Sequence, residues 1–301
     1  MADRDAFFGF HPLVNMLYFI AVIGFSMFFM HPVNLIISLI CALVYAVYLS
    51  RKRFVRMGLI FMLPMLLMAV ALNPLFNHQG ATILVYLPNG NPLTLESTMF
   101  GIAAAVMLIT VISWFSCFNA VMTSDKFVYI MGRIMPAMSL ILSMTLRFVP
   151  LFVSQIKVVS SAQKGIGRNV KSGNILQRAK HGIRILSIIV TWSLENAIET
   201  ADSMKSRGYG LPGRTAFSVF RFDKRDASAI VFILLCAIAI IIGAALEIFR
   251  FRYFPTISHI ASDQHVLWTI MLFVAHFALC AFPIILNIKE DIIWKNIESK
   301  I

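Results

Sequence analysis

The chain has 301 residues, of which 59% are hydrophobic and only 13% charged, against about a quarter charged in an ordinary soluble domain. A soluble protein of this length could not hide so much apolar surface, so composition excludes a soluble enzyme or binding domain and indicates a polytopic membrane protein. The net charge of +12 would point to nucleic acid in a soluble protein. Here the basic residues flank apolar stretches and form no separate basic domain, so they report membrane topology, and nucleic acid is not expected as a partner.

The opening segment, Met1 to Pro12, has no basic n-region and no small-residue cleavage site after the first apolar run, so that run is expected to be a retained membrane helix. A helix needs about 20 apolar residues to cross the hydrocarbon. Six stretches qualify, at about 14–30, 33–49, 57–76, 99–122, 227–249 and 266–288. Five carry no Asp, Glu, Lys or Arg; the fifth span holds Glu247. The first two are short and joined by His31-Pro32, which predicts a tight turn at the membrane face. Pro64 predicts a kink in the third span. His276 lies mid-span in the sixth, where it serves either as a proton relay or, more commonly, as a hydrogen-bonding group between helices. Cys41, Cys117, Cys236 and Cys280 all lie in apolar runs and form no CxxC, so they read as small buried hydrophobes rather than a disulfide or zinc framework.

Orientation follows from Lys and Arg. Arg51, Lys52, Arg53 and Arg56 follow the second span, which places that loop and both chain ends in the cytoplasm. The loop 77–98 has no Lys or Arg and is expected outside, as a small hairpin turning at Pro88-Asn89-Gly90-Asn91-Pro92. Residues 250–265 are expected outside too, against the weak contrary signal of Arg250 and Arg252. The chain then divides into a four-span bundle (1–122), a cytoplasmic region (123–226) and a C-terminal pair of spans with a tail (227–301).

The region 123–226 holds 16 basic and 6 acidic residues and no strand pattern. Apolar residues from Met138 to Ala162 recur at helical spacing, with Arg147, Gln155, Lys157 and Gln163 between them. This predicts a long helix at, or leaning out of, the membrane. It begins near Pro136, kinks at Pro150 and ends at Gly165 and Gly167. Lys164, Arg168, Lys171, Arg178, Lys180 and Arg184 follow, a surface suited to anionic headgroups. A second long helix is predicted from Asn174 or Ile175 to Arg207. Its apolar middle, Ile183 to Leu194, leaves open a re-entrant or seventh span. Near its end Ala197, Ala201 and Met204 share one face, and Glu195, Glu199, Asp202 and Ser206 another. Arg207 falls where the helix dipole favours a cation. Gly208, Gly210, Pro212 and Gly213 stop the helix. Arg207 is therefore either a simple C-terminal cation or a donor fork for a partner's carboxylate or carbonyls.

There is no GxxxxGK[ST], HExxH or GxSxG in the chain, so nucleotide, metalloprotease and serine-hydrolase chemistry have no motif to rest on. No cofactor, catalytic residue or metal ligand set is expected. No span carries paired carboxylates for ion coupling. These features describe a membrane subunit whose energy source lies on another chain.

Three segments carry a family resemblance: Phe10-His11-Pro12, Leu146-Arg147-Phe148-Val149-Pro150 running into Ser161-Ala162-Gln163-Lys164, and Ala201-Asp202-Ser203-Met204-Lys205-Ser206-Arg207-Gly208-Tyr209-Gly210. Together they resemble the transmembrane T component of energy-coupling-factor transporters, nearly end to end, and the last is the specific one. The resemblance implies an all-α polytopic fold of about six transmembrane helices plus long cytoplasmic amphipathic coupling helices. It implies a non-catalytic subunit in the cell membrane, partnered by two cytoplasmic ABC ATPase subunits and a small membrane substrate-binding subunit for a vitamin, cofactor precursor or metal ion. Two coupling motifs are implied. Ser206-Arg207-Gly208 matches the second. At the first, Gly165-Ile166-Gly167 has Ile166 where arginine is usual, with Lys164 and Arg168 as neighbouring cations. A conventional ABC permease with its own pathway is the alternative, and an integral membrane enzyme a more remote one.

Overall fold

The computed structural model describes residues 5–86, 90–168, 173–211, 220–246, 251–259 and 266–298. Met1 to Arg4, Pro88-Asn89, Lys171, Pro212, Gly213, Glu247, Arg250 and Lys300, which figure in the sequence reading, lie outside these residues. The helices are α1 (Pro12–Phe28), α2 (Pro32–Met57), α3 (Leu63–Phe76), α4 (Leu95–Val121), α5 (Ser124–Ile134), α6 (Pro136–Gly165), α7 (Ile175–Ser206), α8 (Lys224–Ala245) and α9 (Val266–Glu298). Two small antiparallel pairs complete the described chain: β1 (Ile83–Tyr86) with β2 (Pro92–Thr94), and β3 (Phe251–Arg252) with β4 (Ser258–His259). The chain forms two compact units, residues 1–123 with 220–301, and residues 124–219.

Among the described residues six helices are long and apolar enough to cross a membrane. They differ from the expected set in two places. The first expected span is α1, only 17 residues long, and the sixth candidate is instead Ala137–Gly165 within α6. Arg147 and Lys157 suggested a helix at the membrane edge, but three cations in these 29 residues, Arg147, Lys157 and Lys164, do not outweigh its apolar content by length and composition. The apolar middle of α7 is not among the six, because Arg178, Lys180, Arg184, Glu195 and Glu199 bracket it too closely. Near the third span, a π-helical turn, Gly58–Met62, precedes Pro64, and α2 bends at Ser50. Pro150 lies inside α6 without ending it.

The first unit, residues 1–123 with 220–301, called the membrane unit below, is packed from its helix ends inward. His11 and His31 both cap a helix that begins with proline: each Nδ1 accepts the amide two residues on, Leu13 or Val33, at 3.3 Å. Proline at the first helical position wastes no donor. Tyr18, Phe19, Tyr45 and Trp114 are fully buried at the centre. Polar groups join the helices where lipid offers no hydrophobic drive for association. Trp114 Nε1 donates to Ser38 Oγ at 2.9 Å, Ser38 meets Ser26 Oγ at 2.7 Å, and Tyr18 OH donates to the Cys280 carbonyl at 3.2 Å. All four cysteines are free and buried. His276 is also buried, its Nε2 at 3.7 Å from Cys280 Sγ one turn along α9.

The N-terminal residues bind this bundle at one edge. The Asp5 carboxyl accepts from Tyr45 OH on α2 at 2.8 Å and from Asn287 Nδ2 on α9 at 2.6 Å. Asn287 Oδ1 in turn accepts the Ala6 amide at 2.7 Å. Asp226 on α8 accepts the His11 amide at 3.0 Å, and Arg225 donates to the Gly9 carbonyl at 3.1 Å. At the β1–β2 hairpin the buried Glu96 carboxyl accepts both the amide and the hydroxyl of Thr82.

Helices α3 and α4 approach closely at Gly101, where an added Cβ would lie 3.0 Å from Asn73 Cβ and 3.5 Å from the Val70 carbonyl. Gly101→Leu should therefore force these helices apart and cost about 1–3 kcal/mol. The check is a lower melting temperature of the detergent-solubilised protein by size-exclusion thermal challenge, with Gly24→Leu, where nothing lies within 4 Å, unchanged.

Candidate functional site

The singled-out residues lie at two helix ends in the second unit. Helix α5 packs on α6, with the Ser139 hydroxyl donating to the Val128 carbonyl at 3.0 Å. Helix α7 packs on α6 through a stripe one turn apart. Ile185 and Ile189 are buried, and Trp192 meets Phe152 edge to face at 5.8 Å. Phe152 stacks on Phe148 one turn earlier. Asn174 starts α7 with a capping box completed by Gln177, which satisfies two amides that would otherwise be orphaned.

The ends of α6 and α7 close with the same backbone. At the α6 end the Gly167 amide donates to the Lys164 carbonyl at 3.0 Å and the Arg168 amide to the Gln163 carbonyl at 2.9 Å. At the α7 end the Gly208 amide donates to the Lys205 carbonyl at 3.0 Å and the Tyr209 amide to the Met204 carbonyl at 3.0 Å. Gly167 and Gly208 both have φ of +78°, the left-handed conformation that favours glycine. Each end is thus a Schellman turn. The equivalence pairs Lys164 with Lys205, Gly165 with Ser206, Ile166 with Arg207, and Arg168 with Tyr209. Ile166 (φ −90°, ψ 13°) and Arg207 (φ −85°, ψ 10°) occupy the same cap position.

Both caps face outward. Ile166 is 66% exposed, and Arg207, Lys164 and Arg168 are exposed too. Ser206 Oγ turns back to the Ser203 carbonyl at 2.9 Å, so it closes the helix and leaves Arg207 as the projecting group. Along the helices, Ile166 lies fourteen residues beyond Phe152 and Arg207 fifteen beyond Trp192, each about 21–23 Å of helical rise. The expected faces near the end of α7 are not divided by burial. Glu195, Glu199 and Asp202 are exposed, but so are Ala197 and Ala201, and only Met204 is partly covered.

Sequence reasoning did not single out Lys205, though Lys164-Gly165-Ile166-Gly167 and Lys205-Ser206-Arg207-Gly208 align by eye once the glycines are superposed. It also missed α5, whose short amphipathic run ends just before Pro136. Among the described residues no group of three or more His, Cys, Asp or Glu is placed to hold a metal ion.

The helices, their apolar content and the buried polar seams define an all-α multi-pass membrane protein. The model of the CbiQ family, described as cobalt transport protein, matches residues 8–217, and the chain belongs to that family. The chain is also similar to energy-coupling factor transporter transmembrane proteins EcfT. It is 34% identical over 106 residues to that of Lactococcus lactis subsp. cremoris, covering 35% of this chain and 40% of the relative. It is 36% identical over 98 residues to that of Lactobacillus helveticus (32% and 35%), and 31% identical over 106 residues to that of Staphylococcus aureus (35% and 40%). The matched segments span two-fifths or less of these relatives' length.

The two glycines near the end of α6 should respond oppositely to alanine. Gly165 has open space around its Cβ position and no positive φ, whereas Gly167 is left-handed. Gly165→Ala should firm the last turn and Gly167→Ala loosen it, each by about 1 kcal/mol. Hydrogen exchange of the amides at the end of α6 reads both, with protection rising in the first variant and falling in the second.

Proposed function

We propose that this chain is the transmembrane coupling subunit of an energy-coupling-factor importer. In this reading α6 and α7 are the coupling helices, and their caps dock on two cytoplasmic ABC ATPase subunits. The single observation that carries the reading is the repeated Schellman turn, which presents Ile166 and Arg207 in the same geometry at the ends of two helices packed together. Two equivalent projections suit two related receiving grooves. Similarity to EcfT proteins supports the same assignment. Both helices also expose apolar side chains along their length, among them Val149 and Val153 on α6 and Ile183, Leu186, Val190 and Leu194 on α7. Such a surface needs a cover of lipid or protein, and a small membrane substrate-binding subunit fits it. ATPase closure would then move the helices and, through them, that subunit. The chain itself binds neither ATP nor, primarily, the cargo.

The two caps differ in chemistry. Arginine offers a planar fork of donors that lysine cannot reproduce, while Ile166 offers only apolar contact. Arg207→Ala should weaken binding of the ATPase pair at least about tenfold, since removing one buried charged partner costs about 2–5 kcal/mol. Ile166→Ala and Lys164→Ala should cost less, and Ile166→Arg should maintain or strengthen assembly. The contribution of Arg207 should shrink in high salt if its contact is at a solvated rim. Affinity of the solubilised chain for the ATPases across these variants is the measurement; an Ile166→Ala loss equal to that of Arg207→Ala would contradict an asymmetric pair.

Topology is testable separately. Both ends and residues 123–226 should be cytoplasmic and the loop 77–98 external. In a background free of the four native cysteines, a cysteine at position 90 should react with an impermeant maleimide in intact cells and one at 171 only after lysis. The reverse pattern would invert the orientation.

A further inference from the structure

The edge of the membrane unit where residues 5–10, the start of α8 and the end of α9 meet contains two adjoining cavities. One, of about 510 Å³, is walled by Phe10, Phe232, Phe282, Leu286 and Ile293. The other, of about 700 Å³, is walled by Asp291, Trp294, Lys295 and Glu298. Ala6, Arg225 and Glu290 line both, so the two form one trough with an apolar arm, an acidic arm and an arginine at the junction. From this arrangement we propose that the trough is a binding site for a phospholipid with a primary-amine headgroup, of the phosphatidylethanolamine type.

The order of chemical groups carries the assignment. A phospholipid runs from acyl chain to phosphate to headgroup. The aromatic arm takes an acyl chain. The Arg225 guanidinium lies 4.2 Å over the Phe10 ring and uses Nη2 for the Gly9 carbonyl at 3.1 Å. A guanidinium has five N–H donors in a fixed fork, so it is both positioned and left with donors for a phosphate. Lys289 also lines the apolar arm. Glu290 shares the junction with Arg225, and past it Asp291 and Glu298 outnumber Lys295. Asp5 also lines this arm, but its carboxyl is taken up by Tyr45 and Asn287. Carboxylates there accept from an ammonium and repel a headgroup of net negative charge.

Depth fits as well. Helix α8 starts at Lys224-Arg225-Asp226, just ahead of its apolar run, and the apolar run of α9 gives way at Lys289-Glu290-Asp291. Trp294, on the wall of the acidic arm, is 59% exposed. Tryptophan concentrates at the headgroup level of membranes. The site lies wholly within the membrane unit and does not depend on the docking role of α6 and α7.

The test is native mass spectrometry of the full-length chain, purified in detergent and offered equimolar phosphatidylethanolamine, phosphatidylcholine and phosphatidylglycerol with identical acyl chains. The amine lipid should be retained about fivefold or more over the glycerol lipid, the effect of a few partly exposed charge contacts. Phosphatidylcholine, whose quaternary amine cannot donate a hydrogen bond, should fall between them. Glu290→Gln with Asp291→Asn should abolish the preference while lipid binding persists, and Glu290→Lys with Asp291→Lys should turn it toward phosphatidylglycerol. The neutral pair conserves shape, so it decides the matter if the lysine pair does not fold, as judged by gel filtration. Equal retention of the three lipids by the native chain, a native preference for phosphatidylglycerol, or an amine preference untouched by the neutral pair would each overturn the proposal.

Discussion

The membrane unit depends on how one carboxyl group at its edge is satisfied. Asp5 is buried and gathers the hydroxyl of Tyr45 and the amide of Asn287, side chains from helices separated by more than two hundred residues. An acid in such a place is costly unless its oxygens are paired. Once paired, it fixes α2 and α9 against the N-terminal turn, and the turn in turn sets His11 against Asp226 on α8. Inside lipid the helices have little hydrophobic reason to choose one another. These few polar contacts, with the Trp114–Ser38–Ser26 chain at the centre, supply a choice that apolar packing alone does not.

The second unit follows a different rule. Its helices expose most of their apolar side chains, and the interior between α6 and α7 reduces to a narrow stripe around Ile185, Ile189, Phe152 and Trp192. What is held tightly there is the ends. A helix leaves its last four carbonyls without partners. The Schellman turns at Gly167 and Gly208 tie off two of them at each end, which keeps the cap residue in one orientation. The repeated backbone with unlike side chains separates geometry from chemistry: glycine sets where the cap projects, and Ile166 or Arg207 sets what it can hold.

The sequence showed some of this and concealed the rest for identifiable reasons. The spans were legible because a run without charge, such as 99–122, has no other stable home than lipid. The helix ends at Gly165–Gly167 and Gly208 were legible because glycine after a basic last turn is a local signal. Helix α6 was ambiguous because Arg147, Lys157 and Lys164 sit in a stretch otherwise apolar enough to cross, and local composition cannot weigh three cations against a whole helix. Helix α5 was missed because its single amphipathic stripe, from Phe127 to Ile134, is too short to show a period. Asp5 gave no signal at all. A lone acid near a chain end looks solvated until the fold brings Tyr45 and Asn287 to it. The equivalence of Ile166 and Arg207 was half visible as a register in the sequence; that it is also an equivalence of dihedral angles needed the structure.

That equivalence constrains how motion could pass through the second unit. The ring contact between Phe152 and Trp192 lies about the same helical rise, near 21–23 Å, from each cap. Helices pivoting at such a contact have matched arms, so a given rotation displaces either cap by a similar amount. A turn of about 10° would move each by roughly 4 Å on this rise, enough to change a contact of the kind proposed for the caps. Matched arms with unmatched caps mean that any difference in response between the two ends arises from the chemistry of Ile166 and Arg207 rather than from leverage.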